Sequence, residues 1–191
     1  MTLCVVTSRE SDTQFVQSLL HSRKLAPVRF FTSKNSSSAH SLARSIVGIK
    51  QYPVALILGT DVYEPTQVEE RRRFLEAMLD EAAPRDQWEL ILLVPEMETI
   101  FFQIPGLIEA LGLPSPSEVQ RERAKHQPRA VLIELLSKAS GRGSLDWPSW
   151  FRKTLPRLPH DKLWRLKPFN QLQHFLEQHQ HRSETGHPSP R

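Results

Sequence analysis

The chain has 191 residues, of which 39% are hydrophobic and 24% charged, and its formal net charge is +4. This length suits one domain, or one domain with an appendage, and the charged fraction argues against wholesale disorder. A single cysteine, Cys4, excludes an internal disulfide and any multi-cysteine metal site. No apolar run approaches the ~20 residues of a membrane span, and the start lacks the pattern of a signal peptide. We therefore expect a cytoplasmic protein with no membrane partner.

Four short apolar runs alternate with helical patterns over the first hundred residues. The runs at 3–6, 28–31, 54–58 and 88–94 are apolar nearly throughout, which is typical of strands buried on both faces. Apolar residues recur at helical spacing between the runs, and Ser11 and Asp12 are the candidate N-cap of the first helix. The order β-α-β-α-β-α-β with long crossovers predicts an α/β fold with a mostly parallel four-stranded sheet flanked by helices.

From residue 96 onward the pattern predicts a helical C-terminal extension. Candidate helices cover 97–111, with a break at Pro105-Gly106, then 130–138 and 168–179, and a flexible joint is predicted at 140–144. Trp147, Trp150 and Trp164 either stack on nucleobases or, as we favour, pack the extension onto the core. We divide the chain into an α/β domain at 1–112, a helical, basic part at 113–178 and a disordered tail at 179–191.

The charge is concentrated at the end of the chain. Residues 142–191 contain nine Lys and Arg against four Asp and Glu, whereas residues 1–141 contain sixteen against seventeen. A basic end suits a phosphate backbone, so nucleic acid is one predicted partner. The alternative is that these charges only solubilise the end of the chain.

Carboxylates follow three of the four predicted strands. Glu10 and Asp12 come after the first strand, Asp61 after the third, and Glu96 and Glu98 after the fourth. Because the carboxyl ends of parallel strands share one edge, we expect these side chains to converge there. Converging carboxylates repel one another unless a cation lies between them, and oxygen ligands favour Mg²⁺ or Mn²⁺. The alternative is that some of them are solvated loop residues.

Three motifs at these strand ends resemble the Toprim (topoisomerase–primase) fold, a Rossmann-like α/β arrangement. Residues 5–12 read Val-Val-Thr-Ser-Arg-Glu-Ser-Asp, where the family has Glu-Gly-x-x-Asp after its first strand. Residues 56–61 read Leu-Ile-Leu-Gly-Thr-Asp, where it has Asp-x-Asp, and residues 94–98 read Val-Pro-Glu-Met-Glu, which is similar to a fourth-strand motif of its defence-associated nuclease relatives. The resemblance covers residues 1–110 and implies a link to nucleic acid, with a role in phage or plasmid defence.

The resemblance implies a role for each matching residue. Asp12, Asp61 and Glu98 would hold Mg²⁺ or Mn²⁺, and Glu98 would also be a catalytic carboxylate. Glu10 is the second catalytic candidate, as a substitute for the family's glutamate two residues before it. Arg9 is a candidate phosphate contact on its charge alone, which suits an anion and opposes a cation. In an active protein, Glu10 is the best candidate for the general base.

This sequence departs from the Toprim pattern at three positions. Ser8 stands where the family has glutamate, Arg9 where it has glycine, and Gly59 where it has the first aspartate of Asp-x-Asp. Serine does not take up a proton near neutral pH, and Gly59 removes a metal ligand. We therefore expect a degenerate, non-catalytic or weakly active module that binds or acts on nucleic acid.

Two alternatives to the degenerate module stay open. The first is an active Mg²⁺-dependent phosphodiesterase or nuclease with a reduced acidic set. The second is a scaffold subunit that binds a protein partner. On the basic end, Arg152, Lys153 and Arg157 are the candidate phosphate contacts.

Overall fold

The computed structural model describes residues 2–23, 27–140 and 146–184, and the side chains of residues 182–184 are not described. The strands are β1 (Leu3–Thr7), β2 (Val28–Thr32), β3 (Val54–Gly59) and β4 (Trp88–Leu93). The helices are α1 (Glu10–His21), α2 (Ser36–Ile49), α3 (Pro65–Asp80), α4 (Ile100–Gln103), α5 (Leu107–Ala110), α6 (Glu118–Ala124), α7 (Pro128–Ser140), α8 (Trp147–Thr154), α9 (His160–Trp164) and α10 (Lys167–Glu184). Short 3-10 turns lie at Arg85–Gln87, Met97–Thr99 and Leu155–Arg157.

The strands form one parallel sheet in the order β2-β1-β3-β4. Each pair is joined through a crossover that contains a helix, as parallel pairing requires. β1 and β3 are buried along their whole length, which explains why their sequences are apolar throughout. The predicted α/β fold with a parallel four-stranded sheet, flanking helices and a helical C-terminal region is confirmed.

Alternate residues of each strand face two separate apolar cores. Val5 and Ile57 belong to the core on one face, which contains α1 and most of the C-terminal helices. Val6 and Leu56 belong to the core on the other face, which contains α2 and α3. This alternation is the two-residue period of a strand, so both faces of the sheet are covered by helices.

The C-terminal helices pack directly on the α/β layer. The rings of Phe15 in α1 and Phe169 in α10 lie 5.3 Å apart, and the Trp164 indole N–H donates to the Ser22 hydroxyl over 3.3 Å. Trp147 and Trp164 are buried in the same apolar core as the first helix. This agrees with the packing interpretation of the tryptophans. The boundary placed near residue 112 stays a prediction, but one apolar core is continuous across it.

Three local features differ from the sequence expectations or refine them. α1 begins at Glu10, so Arg9 and not Ser11 is its N-cap, and Asp12 lies in the first turn. The predicted break at Pro105-Gly106 separates α4 from α5, with Gly106 in the left-handed conformation at φ 73°. α10 continues to Glu184, into the predicted tail.

Some expectations concern parts of the chain that lie outside the described residues. These are the rest of the predicted tail, at 185–191, and most of the predicted joint, at 141–144. Among the described helices, none is both long and apolar enough to cross a membrane.

Candidate functional site

The candidate site lies where the direction of the strand order changes. From β1 the chain crosses to β2 on one side and then to β3 on the other, so the carboxyl ends of β1 and β3 flank the switch point. In open α/β sheets this crevice is the usual place for a ligand. Arg9 follows β1 at this point, and its guanidinium is the centre of a cluster of carboxylates.

Arg9 contacts carboxylates from two separate segments of the chain. Its Nε lies 3.3 Å from Oδ2 of Asp12, one turn further along the same helix. Its Nη1 donates to Oε2 of Glu96 over 2.9 Å, and its Nη2 lies 4.0 Å from Oε2 of Glu98. We call these four residues, together with Arg129, the Arg9 cluster.

Two members of the Arg9 cluster are fully buried carboxylates. The side chains of Asp12 and Glu98 are 0% exposed. Glu98 has no hydrogen bond to either carboxylate oxygen from another residue, and its charged neighbours are Arg9 at 4.0 Å and Arg129 at 3.9 Å. Burial raises the pKa of Glu98 to about 7, against the opposing effect of Arg9. Burial also raises the pKa of Asp12, and Arg9 again opposes this.

The carboxylates keep Arg9 positively charged. Burial alone would lower the pKa of its guanidinium, but Asp12, Glu96 and Glu98 together outweigh burial and raise that pKa above its ordinary value. Arg9 therefore supplies a permanent positive charge at the centre of the cluster.

Glu96 joins the sheet edge to the helical extension. One of its oxygens accepts from Arg9, while the other accepts the backbone N–H of Arg129 over 3.1 Å. Arg129 lies in the first turn of α7, directly after Pro128. A carboxylate at this end of a helix satisfies a free N–H group and complements the helix dipole. Glu96 thus positions Arg9 and the start of α7 relative to each other.

Gly59 provides the room that the Arg9 guanidinium takes. A Cβ atom at position 59 would lie 3.2 Å from Nη2 of Arg9 and 3.1 Å from the backbone oxygen of Pro95. Any side chain at this position would therefore press on the guanidinium. The position of the Arg9 guanidinium therefore depends on the absence of a side chain at position 59.

The structure brings together only part of the predicted acidic set. Asp12 and Glu98 meet in the Arg9 cluster. The backbone of Asp61 lies next to the residue before Glu96, because its N–H donates to the Pro95 oxygen. Its carboxylate, however, is 69% exposed and lies 4.0 Å from Arg71. Glu10 is exposed and accepts from Gln14. The roles assigned to these residues stay predictions.

Two members of the cluster had no predicted role: Glu96 was expected to converge with the other carboxylates but was assigned no function, and Arg129 was not expected at this edge. Glu96 carries a detectable signal, because it follows the proline that ends the fourth apolar run. Arg129 carries a weaker one, since a proline before it marks the start of a helix. Neither pattern indicates that Glu96 and Arg129 contact each other, because the two residues are distant in sequence.

The Arg9 cluster does not fit a divalent cation. The guanidinium already lies among the carboxylates that would be its ligands, and a second cation at that point would be repelled by it. In the described ranges, no group of three His, Cys, Asp or Glu side chains is arranged to hold a metal ion.

A second candidate feature is basic. The segment from 147 to 167, which we call the basic helical segment, contains α8, α9 and the start of α10. It carries six cations that form no ion pair within the part of the chain that the structure describes: Arg152, Lys153, Arg157, Lys162, Arg165 and Lys167. The predicted phosphate contacts Arg152, Lys153 and Arg157 are all exposed. Arg9, which was also predicted to contact phosphate, lies among the carboxylates of Asp12, Glu96 and Glu98.

A cleft of about 720 Å³ lies beside the end of β4. Its lining includes apolar residues such as Phe102 and Ile108, the Tyr63 side chain, and the cations Arg121 and Lys125. Its volume is in the range of small-molecule sites. The sequence carried no signal for this cleft, because its walls come from loops and short helices that are distant along the chain.

Comparisons of the chain with models of known families, with curated proteins and with solved structures found no match.

Proposed function

We propose that this chain is a degenerate Toprim-like module that binds nucleic acid without cleaving it. The observation that carries the proposal is the position of Arg9, whose guanidinium lies among Asp12, Glu96 and Glu98. Catalysis by the implied family mechanism needs a divalent cation among such carboxylates. A resident arginine lies at that point instead and offsets part of the negative charge, so the cluster supports the architecture and not a hydrolytic step.

The basic helical segment supports the binding half of the proposal. Its cations are exposed and carry no intramolecular ion pairs, so their charge is available to an external anion. A phosphate backbone offers repeated negative charges, and Lys and Arg that neutralise phosphates release condensed counterions. Binding of this kind is strong at low salt and largely independent of sequence.

Fluorescence anisotropy with labelled single- and double-stranded oligonucleotides tests the binding. We expect affinity to fall steeply as salt rises from roughly 50 to 200 mM, with a linear relation between the logarithms of affinity and salt concentration. The double variant Arg152→Ala, Lys153→Ala should weaken binding and reduce that slope by about 1 to 2.

The control for this experiment removes the same charge from another surface. Arg73 pairs with Glu69, and Lys138 pairs with Glu134. The double variant Arg73→Ala, Lys138→Ala should leave affinity and slope nearly unchanged. Absence of binding at low salt, or an equal loss in both double variants, would contradict the proposal.

A further inference from the structure

Three separate segments of the chain form the walls of the cleft beside the end of β4. Val94 follows β4 directly, and Tyr63 lies in the loop between β3 and α3. The third wall is α6, which contributes Arg121 and, at its end, Lys125. Ligands of open α/β sheets bind outside the carboxyl ends of the strands, and this cleft lies there. Among its described lining residues, none belongs to the Arg9 cluster.

The wall formed by α4 and α5 is apolar. Ile104 and Ile108 reach the cleft from the apolar core, and Phe102 beside them is half-buried. The Thr99 hydroxyl also lies in the lining, but it already donates to the Val94 carbonyl over 3.1 Å. Water gains little from contact with such a wall, so an apolar ligand body is favoured there over water.

The Tyr63 ring adds an aromatic surface on the opposite side. It packs edge-to-face on His126, with the ring centroids 4.6 Å apart, and it is still 39% exposed. The ring is therefore held in place by α6 while it keeps free surface for a ligand.

Arg121 supplies a positive charge at the edge of this apolar cleft. It lies one turn before Lys125, so the two cations share a face of α6. Lys125 is occupied, because its Nζ lies 2.6 Å from a carboxylate oxygen of Glu122. Arg121 forms no ion pair with any residue that the structure describes. Its guanidinium N–H groups therefore remain available to an external anion.

The one carboxylate among the described lining residues is Glu109, and a neighbour holds it. The Ser115 hydroxyl donates to it over 2.7 Å. This hydrogen bond, with a smaller contribution from Arg121, keeps the pKa of Glu109 below its ordinary value. Glu109 is thus ionised at neutral pH and disfavours a ligand with several negative charges near it, whereas a single negative charge can pair with Arg121.

We propose that this cleft binds a small amphipathic anion, whose apolar body lies against Phe102, Ile108 and Tyr63 and whose single acidic group pairs with Arg121. The site is separate from the Arg9 cluster and from the basic helical segment. The inference therefore goes beyond the proposed function and does not depend on nucleic-acid binding.

The test uses two fluorescent probes that differ only in charge. Anilinonaphthalene sulfonate is an aromatic anion, and phenylnaphthylamine is the same ring system without the sulfonate. We expect the folded chain to bind one equivalent of the anionic probe saturably. Arg121→Gln should weaken binding of the anionic probe about fivefold, as for the loss of one charge pair near water, and change that of the neutral probe less than about twofold.

Two matched variants show whether the charge effect belongs to the cleft. Arg123→Gln removes the same charge from α6, but residue 123 does not line the cleft and pairs with Glu134. It should leave the affinity for both probes nearly unchanged. An equal loss in Arg121→Gln and Arg123→Gln would overturn the inference, as would an equal effect of Arg121→Gln on the two probes.

A second pair of variants tests the apolar part of the site. Tyr63→Ala should weaken both probes about three- to tenfold, because it removes an aromatic wall. Phe74→Ala removes an aromatic ring that is 61% exposed on α3, outside the cleft, and should have no effect. Equal losses in these two variants would mean that the probes bind exposed apolar surface in general, which would overturn the inference.

Competition identifies the class of apolar body. Naphthoate and decanoate carry the same carboxylate on an aromatic and on an aliphatic body. Displacement of the anionic probe by either one supports the inference and states which body the cleft accepts, whereas displacement by neither would overturn it. No measurement in this series uses nucleic acid, so its failure and the failure of the anisotropy experiment are distinguishable.

Discussion

The titration of Glu98 makes the stability of the fold depend on pH in a specific way. The pKa of Glu98 is raised from its ordinary value of 4.5 to about 7 in the folded chain. The folded state therefore holds a proton on Glu98 between these two values while the unfolded state releases it. Stability decreases with rising pH wherever the folded state binds more protons. The contribution of Glu98 is thus fully present below pH 4.5 and is lost as pH rises to about 7.

The size of this effect follows from the shift. A difference of this size between folded and unfolded pKa values corresponds to about 3 kcal/mol of unfolding free energy. The variant Glu98→Gln has no proton to lose, while Asp12 and the other groups remain. The unfolding free energy of the wild type relative to Glu98→Gln should therefore fall by about 3 kcal/mol between pH 4.5 and 8.

Urea denaturation of both chains at several pH values measures this difference. A surface control, Glu10→Gln, changes an exposed carboxylate and should alter the unfolding free energy by no more than about 0.5 kcal/mol. The reasoning about buried Glu98 would be refuted if the unfolding free energy of the wild type, relative to that of Glu98→Gln, stayed constant or rose with pH.

Three further substitutions test the packing around the site. Gly59→Ala should cost about 1–3 kcal/mol of unfolding free energy, because its Cβ presses on Arg9 and on the rigid Pro95 carbonyl; no loss on urea denaturation would show that the room is not needed. Glu96→Ala should cost about 1.5–3 kcal/mol, because it removes the charged hydrogen bond with Arg9 and the cap of α7 while Arg9 keeps Asp12 and Glu98; a loss below 1 kcal/mol would contradict this. Phe169→Ala should cost about 3–5 kcal/mol and preserve one cooperative transition in calorimetry, whereas two transitions would separate the helical extension from the sheet.

The sheet could be predicted from the sequence because its signals are local. Runs such as 54–58 are apolar at every position, and their short length between two helical patterns favours a strand buried on both faces over a buried helix. The convergence of Asp12 and Glu98 at one edge also followed from parallel topology. These conclusions need only the order of elements and the direction of the strands.

The arrangement of the site needed information that is not local. The pairing of Arg9 with Glu96 and Glu98 could not be predicted, because both carboxylates are distant from Arg9 in sequence. Asp61 was expected beside Asp12, yet it faces water and Arg71. The direction of a side chain after a strand end depends on the turn that follows, and residue 61 has the left-handed conformation, with φ 56°.

The sequence pattern also did not predict which elements of the sheet layer the helical extension covers. Its aromatic residues predict a buried face, but not that this face covers α1 and β4 in the same core as the sheet. The three-dimensional link through Glu96 and the start of α7 depends on a contact between residues 33 positions apart. Such a contact has no periodic signature along the chain.

The most direct measurement is the integrity of labelled single- and double-stranded DNA and RNA incubated with the chain and Mn²⁺, followed by anisotropy of the same samples in EDTA. We expect intact strands and salt-dependent binding, because Arg9 excludes the cation that hydrolysis requires. Mn²⁺-dependent cleavage that disappears in Asp61→Ala or Glu98→Gln would contradict this, and would mean that the acidic residues still form a working metal site.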